Sequence, residues 1–208
     1  MAFGFAVVVL SVASATWYRY WLSADRLTWT GSADCVVTFS GDDQNKFAAE
    51  WQKQGRVREV WVIRARDTLL VKLGIHECDA DTSLRALHKS GVPDAHIRVL
   101  SVDAVEGEIP RFLQAIGQAS ARAKAPQVVV QCHPLETRFL RQIADAALPS
   151  QQSDRLRFVP LPHDEYTTTR WWVCRAGWKD VNDISMPVMA NVSWGADLRL
   201  RSRFLEPR

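Results

Sequence analysis

Cys132-His133-Pro134 sets a thiol beside an imidazole at the end of an apolar run, Val128-Val129-Val130-Gln131. A thiol next to a base is the raw material of an activated nucleophile. Neighbours on a chain project apart, however, and the segment matches no nucleophile elbow. A buried Cys beside a loop His is the competing reading. His76, Cys78, Asp79 and Asp81 gather nitrogen, sulfur and oxygen ligand types within six residues. They read either as a metal patch or as a polar loop in which Asp81 or Thr82 caps the next helix. Ser40-Gly41-Asp42-Asp43 could offer backbone N–H groups to an anion at a helix start. It is neither a GxGxxG nor a Walker motif, and Asp42 and Asp43 would repel phosphate. His88, His96 and His163 read as surface or loop residues.

These candidates need elements to position them. Cys35–Phe39 (CVVTF) is a short β-branched run followed by a turn, so it reads as a strand. Phe47, Ala48 and Trp51 then recur at helical spacing, and Gly55 closes that helix. Val57 with Glu59–Ile63 (EVWVI) is a second strand. Asp79–Ser90 is a helix stopped by Gly91-Val92-Pro93. Ile97–Val102 is a third strand, and Glu106–Ala123 a helix that tolerates Pro110 in its first turn. Gln127–Gln131 is a fourth strand, Pro134–Ala147 a helix, and Arg157–Leu161 a fifth strand. Short apolar runs without alternation suit strands covered on both faces. The expectation is an α/β, Rossmann-like three-layer parallel sheet of about five strands with right-handed crossovers. Ligands of such sheets bind at the strand carboxyl ends, which makes Ser40-Gly41-Asp42-Asp43, Arg64-Ala65-Arg66-Asp67, Asp103-Ala104-Val105-Glu106 and Cys132-His133-Pro134 the loops to inspect.

The first 18 residues, MAFGFAVVVLSVASATWY, carry no charged side chain. As a helix they would span roughly 27 Å, close to the hydrocarbon thickness of a bilayer. Trp17, Tyr18, Arg19, Tyr20 and Trp21 follow, and such residues favour the headgroup layer. Residues 1–22 therefore read as a transmembrane anchor and 23–33 as a linker. Ala13-Ser14-Ala15 supports a signal-peptide reading instead, but no Lys or Arg precedes the apolar run. Gly4, Ala6, Ser11 and Ala13 are small enough for close contact with another membrane helix. Arg19 and Arg26 on the C-terminal flank favour a cytoplasmic domain.

The net charge is only +3, which argues against a nucleic-acid partner. Four widely spaced Cys exclude a disulfide-dense mini-domain and a CxxC zinc site. Nine Trp is an unusual number. Thr169–Trp178 reads as a helix. Trp171, Trp172 and Trp178 there could be core, or a contact with protein or lipid. Residues 196–208 form an Arg-rich tail with Arg199, Arg201, Arg203 and Arg208, suited to solvent, anionic lipid or an acidic partner.

Over about residues 34–195 the layout resembles the SanA/ElyC/YdcF-like family of bacterial envelope domains. Cys35–Gly41 resembles the family's first strand and turn. Ser90-Gly91-Val92-Pro93 with Ile97 resembles its GVP…I segment. Val128–Arg138 (VVVQCHPLETR) resembles the strand leading into its S-x-x-H-x-x-R site. Trp178, Asn182 and Asp183 sit where it has a Trp-led C-terminal helix. Counted back from Arg138, however, the family's His position is Leu135 and its Ser position Cys132. Arg64-Ala65-Arg66-Asp67 lacks the glycines of the family's turn, and Val105 replaces a Thr. Glu106 or Glu108 keeps the adjacent acid, and the early Arg has no counterpart. The resemblance implies that the fold persists without the family's polar pocket. It also implies a periplasmic domain, against the two flanking arginines.

The expected function is a non-enzymatic, membrane-anchored accessory or scaffold subunit of a larger membrane protein complex in the bacterial inner membrane, its domain periplasmic. Its partners would be integral membrane subunits and the bilayer, with no cofactor or metal. Gly4, Ala6, Ser11, Ala13, Trp17, Tyr18, Arg19, Trp21, Trp171, Trp172 and Trp178 would make the contacts. The alternative is an enzyme or small-molecule binder of envelope metabolism, with Cys132, His133, Arg138, Asp42 and Glu106 lining its pocket. A third reading is a lipid-binding module that uses the Arg tail.

Overall fold

A computed structural model of the chain describes residues 31–39, 41–104, 108–133 and 136–161. These fall into two compact units, one of residues 31–131 and 143–158, the other of 132–142 and 159–161. The expected anchor, most of its linker, the Trp-rich segment and the Arg-rich tail lie outside the described residues. Among the described residues no helix is long and apolar enough to cross a membrane.

Five strands form one sheet: β1 (Ala33–Thr38), β2 (Val57–Arg64), β3 (Ile97–Ser101), β4 (Val128–Cys132) and β5 (Leu156–Pro160). Their order is β3-β2-β1-β4-β5. The β1–β2, β1–β4 and β2–β3 pairs are parallel, with Val36 opposite both Val60 and Val129. All five residues of β4 are buried, and so are the last four of β1. Their Val-rich runs meet protein on both faces, as a central parallel strand must. The chain winds outward from β1 to β3, then returns to the other side of β1 for β4 and β5. The direction therefore reverses between β1 and β4, a topological switch point.

The helices are α1 (Asp42–Lys53), α2 (Leu69–Lys72), α3 (Asp79–Lys89), α4 (Ile109–Ala123), α5 (Thr137–Ala147) and α6 (Ser150–Ser153), with a 3-10 turn at Asp94–His96. α1 starts on Asp42 and Asp43, whose charges favour the positive end of the helix dipole, and carries Lys53 in its last turn. Gly55, at φ 68°, turns the chain into β2. Helix α1 packs on β1, β2 and α3, whereas α4 packs against β3 and α6. Thr38 faces α1, and Phe39, the next residue, meets Phe112 of α4 edge-on at 6.0 Å. Successive residues of an extended chain point to opposite faces, so α1 and α4 lie on opposite sides of the sheet. The expected three-layer parallel α/β architecture is thus present.

Several boundaries differ from the sequence expectation. α3 has Cys78 as its N-cap, with no side-chain cap bond. Neither expected cap is available: Asp81 is engaged by Arg64, and the Thr82 hydroxyl lies against Glu77 and the Cys78 carbonyl. α4 begins at Ile109 rather than Glu106, with Pro110 in its first turn as expected. α5 begins at Thr137 rather than Pro134. The short helices α2 and α6 were not foreseen. β3 is not covered on both faces: Arg98, Val99 and Ser101 stand exposed on this edge strand.

Candidate functional site

The carboxyl ends of β1 and β4 flank the switch point. Here β1 ends on Thr38, whose hydroxyl donates to Asn45 Oδ1 at 2.9 Å. Asn45 Nδ2 donates in turn to Ser83 Oγ of α3 at 3.2 Å. All three residues are at most 1% exposed. A buried polar group must find a partner, and this string satisfies its members one by one from strand to first helix to second. The turn between β1 and α1 uses Gly41 at φ 111°, a conformation side chains disfavour, and Gly41 O accepts from Asn45 N–H at 3.2 Å. Gln44 reaches back to accept the Phe39 N–H at 3.1 Å.

Gln131 lies on the next strand. It follows Val130, the register partner of Val37, as Thr38 follows Val37. The two side chains therefore project to the same face of the sheet. Gln131 is 1% exposed, yet neither its Oε1 nor its Nε2 has a hydrogen-bond partner. Leaving such groups unpaired costs about 1–3 kcal/mol each.

The loops after β2 and β3 carry charge, and both arginines there are paired. Arg64 makes two bonds to the Asp81 carboxylate, at 3.2 and 3.4 Å. Arg66 makes two to Asp103 Oδ1, at 2.7 and 2.5 Å, and its N–H donates to Ala104 O at 2.9 Å. Arg111 of α4 donates to the Asp103 carbonyl at 3.3 Å.

The sequence candidates are dispersed. Asp42 is the exposed first residue of α1. Glu106 lies outside the described residues. In the smaller unit, Cys132 is buried at the end of β4 and its carbonyl accepts from Leu161 N–H at 3.0 Å. His133 is half-buried, and its N–H donates to Glu136 Oε2 at 3.3 Å. Arg138 is half-buried in the first turn of α5. Gly4, Ala6, Ser11, Ala13, Trp17, Tyr18, Arg19, Trp21, Trp171, Trp172 and Trp178 all lie outside the described residues. His76 and Asp79 are exposed and Cys78 half-buried. Among the described residues no group of three His, Cys, Asp or Glu could hold a metal ion. His88 pairs with Asp94 at 2.6 Å and His96 Nδ1 meets Arg58 O at 2.9 Å, both on the surface as expected.

Cys35, low on β1, is 1% exposed. Burial pushes its thiol far above the ordinary range; Glu59 and Asp34 push the same way and Arg98 opposes them. Such a thiol is inert as a nucleophile at neutral pH.

Thr38, Asn45, Ser83 and Gln131 were not singled out from the sequence. Two signals point to them. Gln131 is polar in an otherwise apolar strand. Asn45 shares the face of α1 that buries Ala48 and Ala49. At the described carboxyl edge Arg64 and Arg66 are paired with carboxylates and Thr38, Asn45 and Ser83 are bonded in a string, whereas the Gln131 amide is not. Compared with protein families, with curated proteins and with solved structures, the chain matches none.

Proposed function

We propose that this chain is a non-enzymatic, membrane-anchored accessory subunit of a larger membrane protein complex, with a degenerate SanA-like α/β domain as its scaffold. One observation carries the reading. At the strand carboxyl ends, where an α/β enzyme keeps polar groups for its substrate, the arginines that end β2 and follow it, and the hydroxyl that ends β1, are engaged within the protein. Arg64 is spent on Asp81, Arg66 on Asp103, and Thr38 on Asn45 and Ser83. In sequence, the charge-free stretch 1–18 and its Trp-Tyr-Arg border support an inner-membrane anchor, and the family resemblance supports a periplasmic domain. The partners of this reading are integral membrane subunits and the bilayer. Mild-detergent isolation of the full chain from native membranes, beside a chain lacking residues 1–22, tests it. The expected result is a stoichiometric complex with the full chain alone. Recovery of the full chain by itself refutes the scaffold role.

Gln131 favours a second reading, a small-molecule binder at the switch point. Its buried amide has a donor and an acceptor to spare, which a ligand with a matching amide-like edge would satisfy. On this reading a bound small molecule accompanies the purified protein and is lost on Gln131→Met.

A further inference from the structure

The two edges of the sheet differ. β5 is buried at four of its five positions and ends on Pro160. β3 exposes Arg98, Val99 and Ser101, and Val99, at 39%, is the one large apolar side chain of a strand to stand exposed among the described residues. An open edge is a template for another strand, so natural sheets guard it with Lys, Pro or a bulge. β3 (Ile97–Ser101) has no Lys or Pro, and its register with β2 runs unbroken from Val60–Ile97 to Arg64–Ser101. Its single charge, Arg98, is turned back over the Trp61 ring of β2, 5.5 Å from the centroid, and not out across the edge.

The open backbone groups can be named. Val102 N–H donates to Arg64 O at 2.8 Å, so Val102 turns its backbone toward β2. Successive strand residues alternate in this direction, so Leu100 and Arg98 also address β2, whereas Ile97, Val99 and Ser101 address the outer side. The Ile97 N–H is taken by Asp94 O of the 3-10 turn. Val99 and Ser101 keep both N–H and C=O without a backbone partner on that side among the described residues.

We infer that this edge pairs with β3 of a second copy of the chain, antiparallel about a two-fold axis at Leu100. The free groups are self-complementary in this register alone. Val99 N–H meets Ser101 O of the second copy, Ser101 N–H meets Val99 O of the second copy, and the axis repeats both bonds. All four open groups of each strand are then satisfied, and the occupied Ile97 N–H is not called upon. The charge on Arg98 selects the same register. An axis at Arg98 would set the two guanidinium groups face to face, and an axis at Val99 would make them diagonal neighbours about 7–8 Å apart. With the axis at Leu100, each Arg98 lies opposite Val102, and the two Arg98 Cα atoms are roughly 14 Å apart. The exposed Val99 packs beside Ser101 of the second copy, and the two Leu100 side chains meet on the axis. The result is a continuous ten-stranded sheet. The inference does not depend on the membrane anchor.

The test is cross-linking of the full chain in mild detergent. Leu100 faces itself in a non-hydrogen-bonded pair with Cα atoms about 4.5 Å apart, within disulfide reach. Under a mild oxidant Leu100→Cys should run as a disulfide dimer on a non-reducing gel. Arg98→Cys should run as monomer, and the unsubstituted chain supplies the background from its four native cysteines. Leu100→Cys dimer no greater than that background overturns the inference, and so does an equal yield from Arg98→Cys. A cross-link to a different polypeptide in place of the dimer also overturns it and gives the edge to a foreign strand. Light scattering across a dilution series supplies the second measurement. Val99→Pro removes the outward N–H and leaves the bonds to β2 in place. Two of the four intermolecular bonds are lost, so the dimer dissociation constant should rise about thirtyfold. A dimer unchanged by Val99→Pro, in a variant with the thermal midpoint of a folded chain, is held elsewhere and overturns the inference. If Val99→Pro does not fold, the cross-linking pair decides by itself.

Discussion

Thr38 Oγ1 donates to Asn45 Oδ1 at 2.9 Å, joining the last residue of β1 to the first turn of α1 inside the protein. The bond fixes the angle at which α1 leaves the switch point, because Asn45 is also tied to Ser83 of α3. Asn45→Ala would strand the Thr38 hydroxyl and leave Ser83 without its donor. Urea denaturation should show a loss of about 2–3 kcal/mol. In a Thr38→Val background the same change should cost about 1 kcal/mol less, since one stranded group is already gone. Strict additivity of the two substitutions would mean that the string is not a unit.

Gln131 is the counterpart on β4, where the polar groups are not paired. On the scaffold reading nothing compensates them, so Gln131→Met, which keeps the length of the side chain, should stabilise the fold by about 1–2 kcal/mol. The midpoint of thermal unfolding should rise accordingly. A fall in the midpoint, together with loss of a copurifying small molecule, would transfer support to the binding reading.

Gly117 allows α4 to approach α6. A Cβ at this position would lie 3.0 Å from Leu148 Cδ2 and 3.0 Å from Gln152 Oε1. Leu148 is only 8% exposed and has little room to retreat. Gly117→Ala gains about 1 kcal/mol of helix propensity, but overpacking costs typically about 1–3 kcal/mol. The expected net effect is destabilisation by about 1 kcal/mol. In a Leu148→Ala background the sign should reverse, and a double-mutant cycle by urea denaturation measures this directly.

The sheet was legible from sequence and the polar string was not, for different reasons. Cys35–Phe39, Glu59–Ile63 and Gln127–Gln131 announce themselves because a central parallel strand needs a near-continuous apolar run, and each holds one: Cys35-Val36-Val37, Val60–Ile63 and Val128–Val130. Helix starts were less legible. Asp81 looks like a cap, but Arg64, 17 residues earlier, takes its carboxylate. Leu69-Leu70-Val71-Lys72-Leu73 has the composition of core and stands on the surface; propensity carries no information about which side of a short turn faces out. Cys132 and His133 drew notice through residue type alone. Asn45 and Ser83 escaped it because their pairing spans 38 residues and two elements.

Cys35 makes stability depend on alkaline pH. Its thiol pKa is raised from the ordinary value of 9.0 by burial first, then by Glu59 and Asp34. The sign follows from linkage. Below pH 9 the thiol is protonated in both folded and unfolded chains, and its contribution is fully present. Above pH 9 the unfolded chain releases the proton while the folded chain keeps it, so the unfolded state gains and stability falls. The slope from this one group is at most about 1.4 kcal/mol per pH unit. Urea midpoints measured between pH 8 and 10.5 should decline, and Cys35→Ala should flatten that decline even though it lowers stability at pH 8 by opening a small cavity. Alkylation gives an independent check: at pH 8 the half-buried Cys78 should react with iodoacetamide long before Cys35 does. Equal labelling of the two thiols in the folded protein would show that β1 is not sealed, and the alkaline prediction would fall with it.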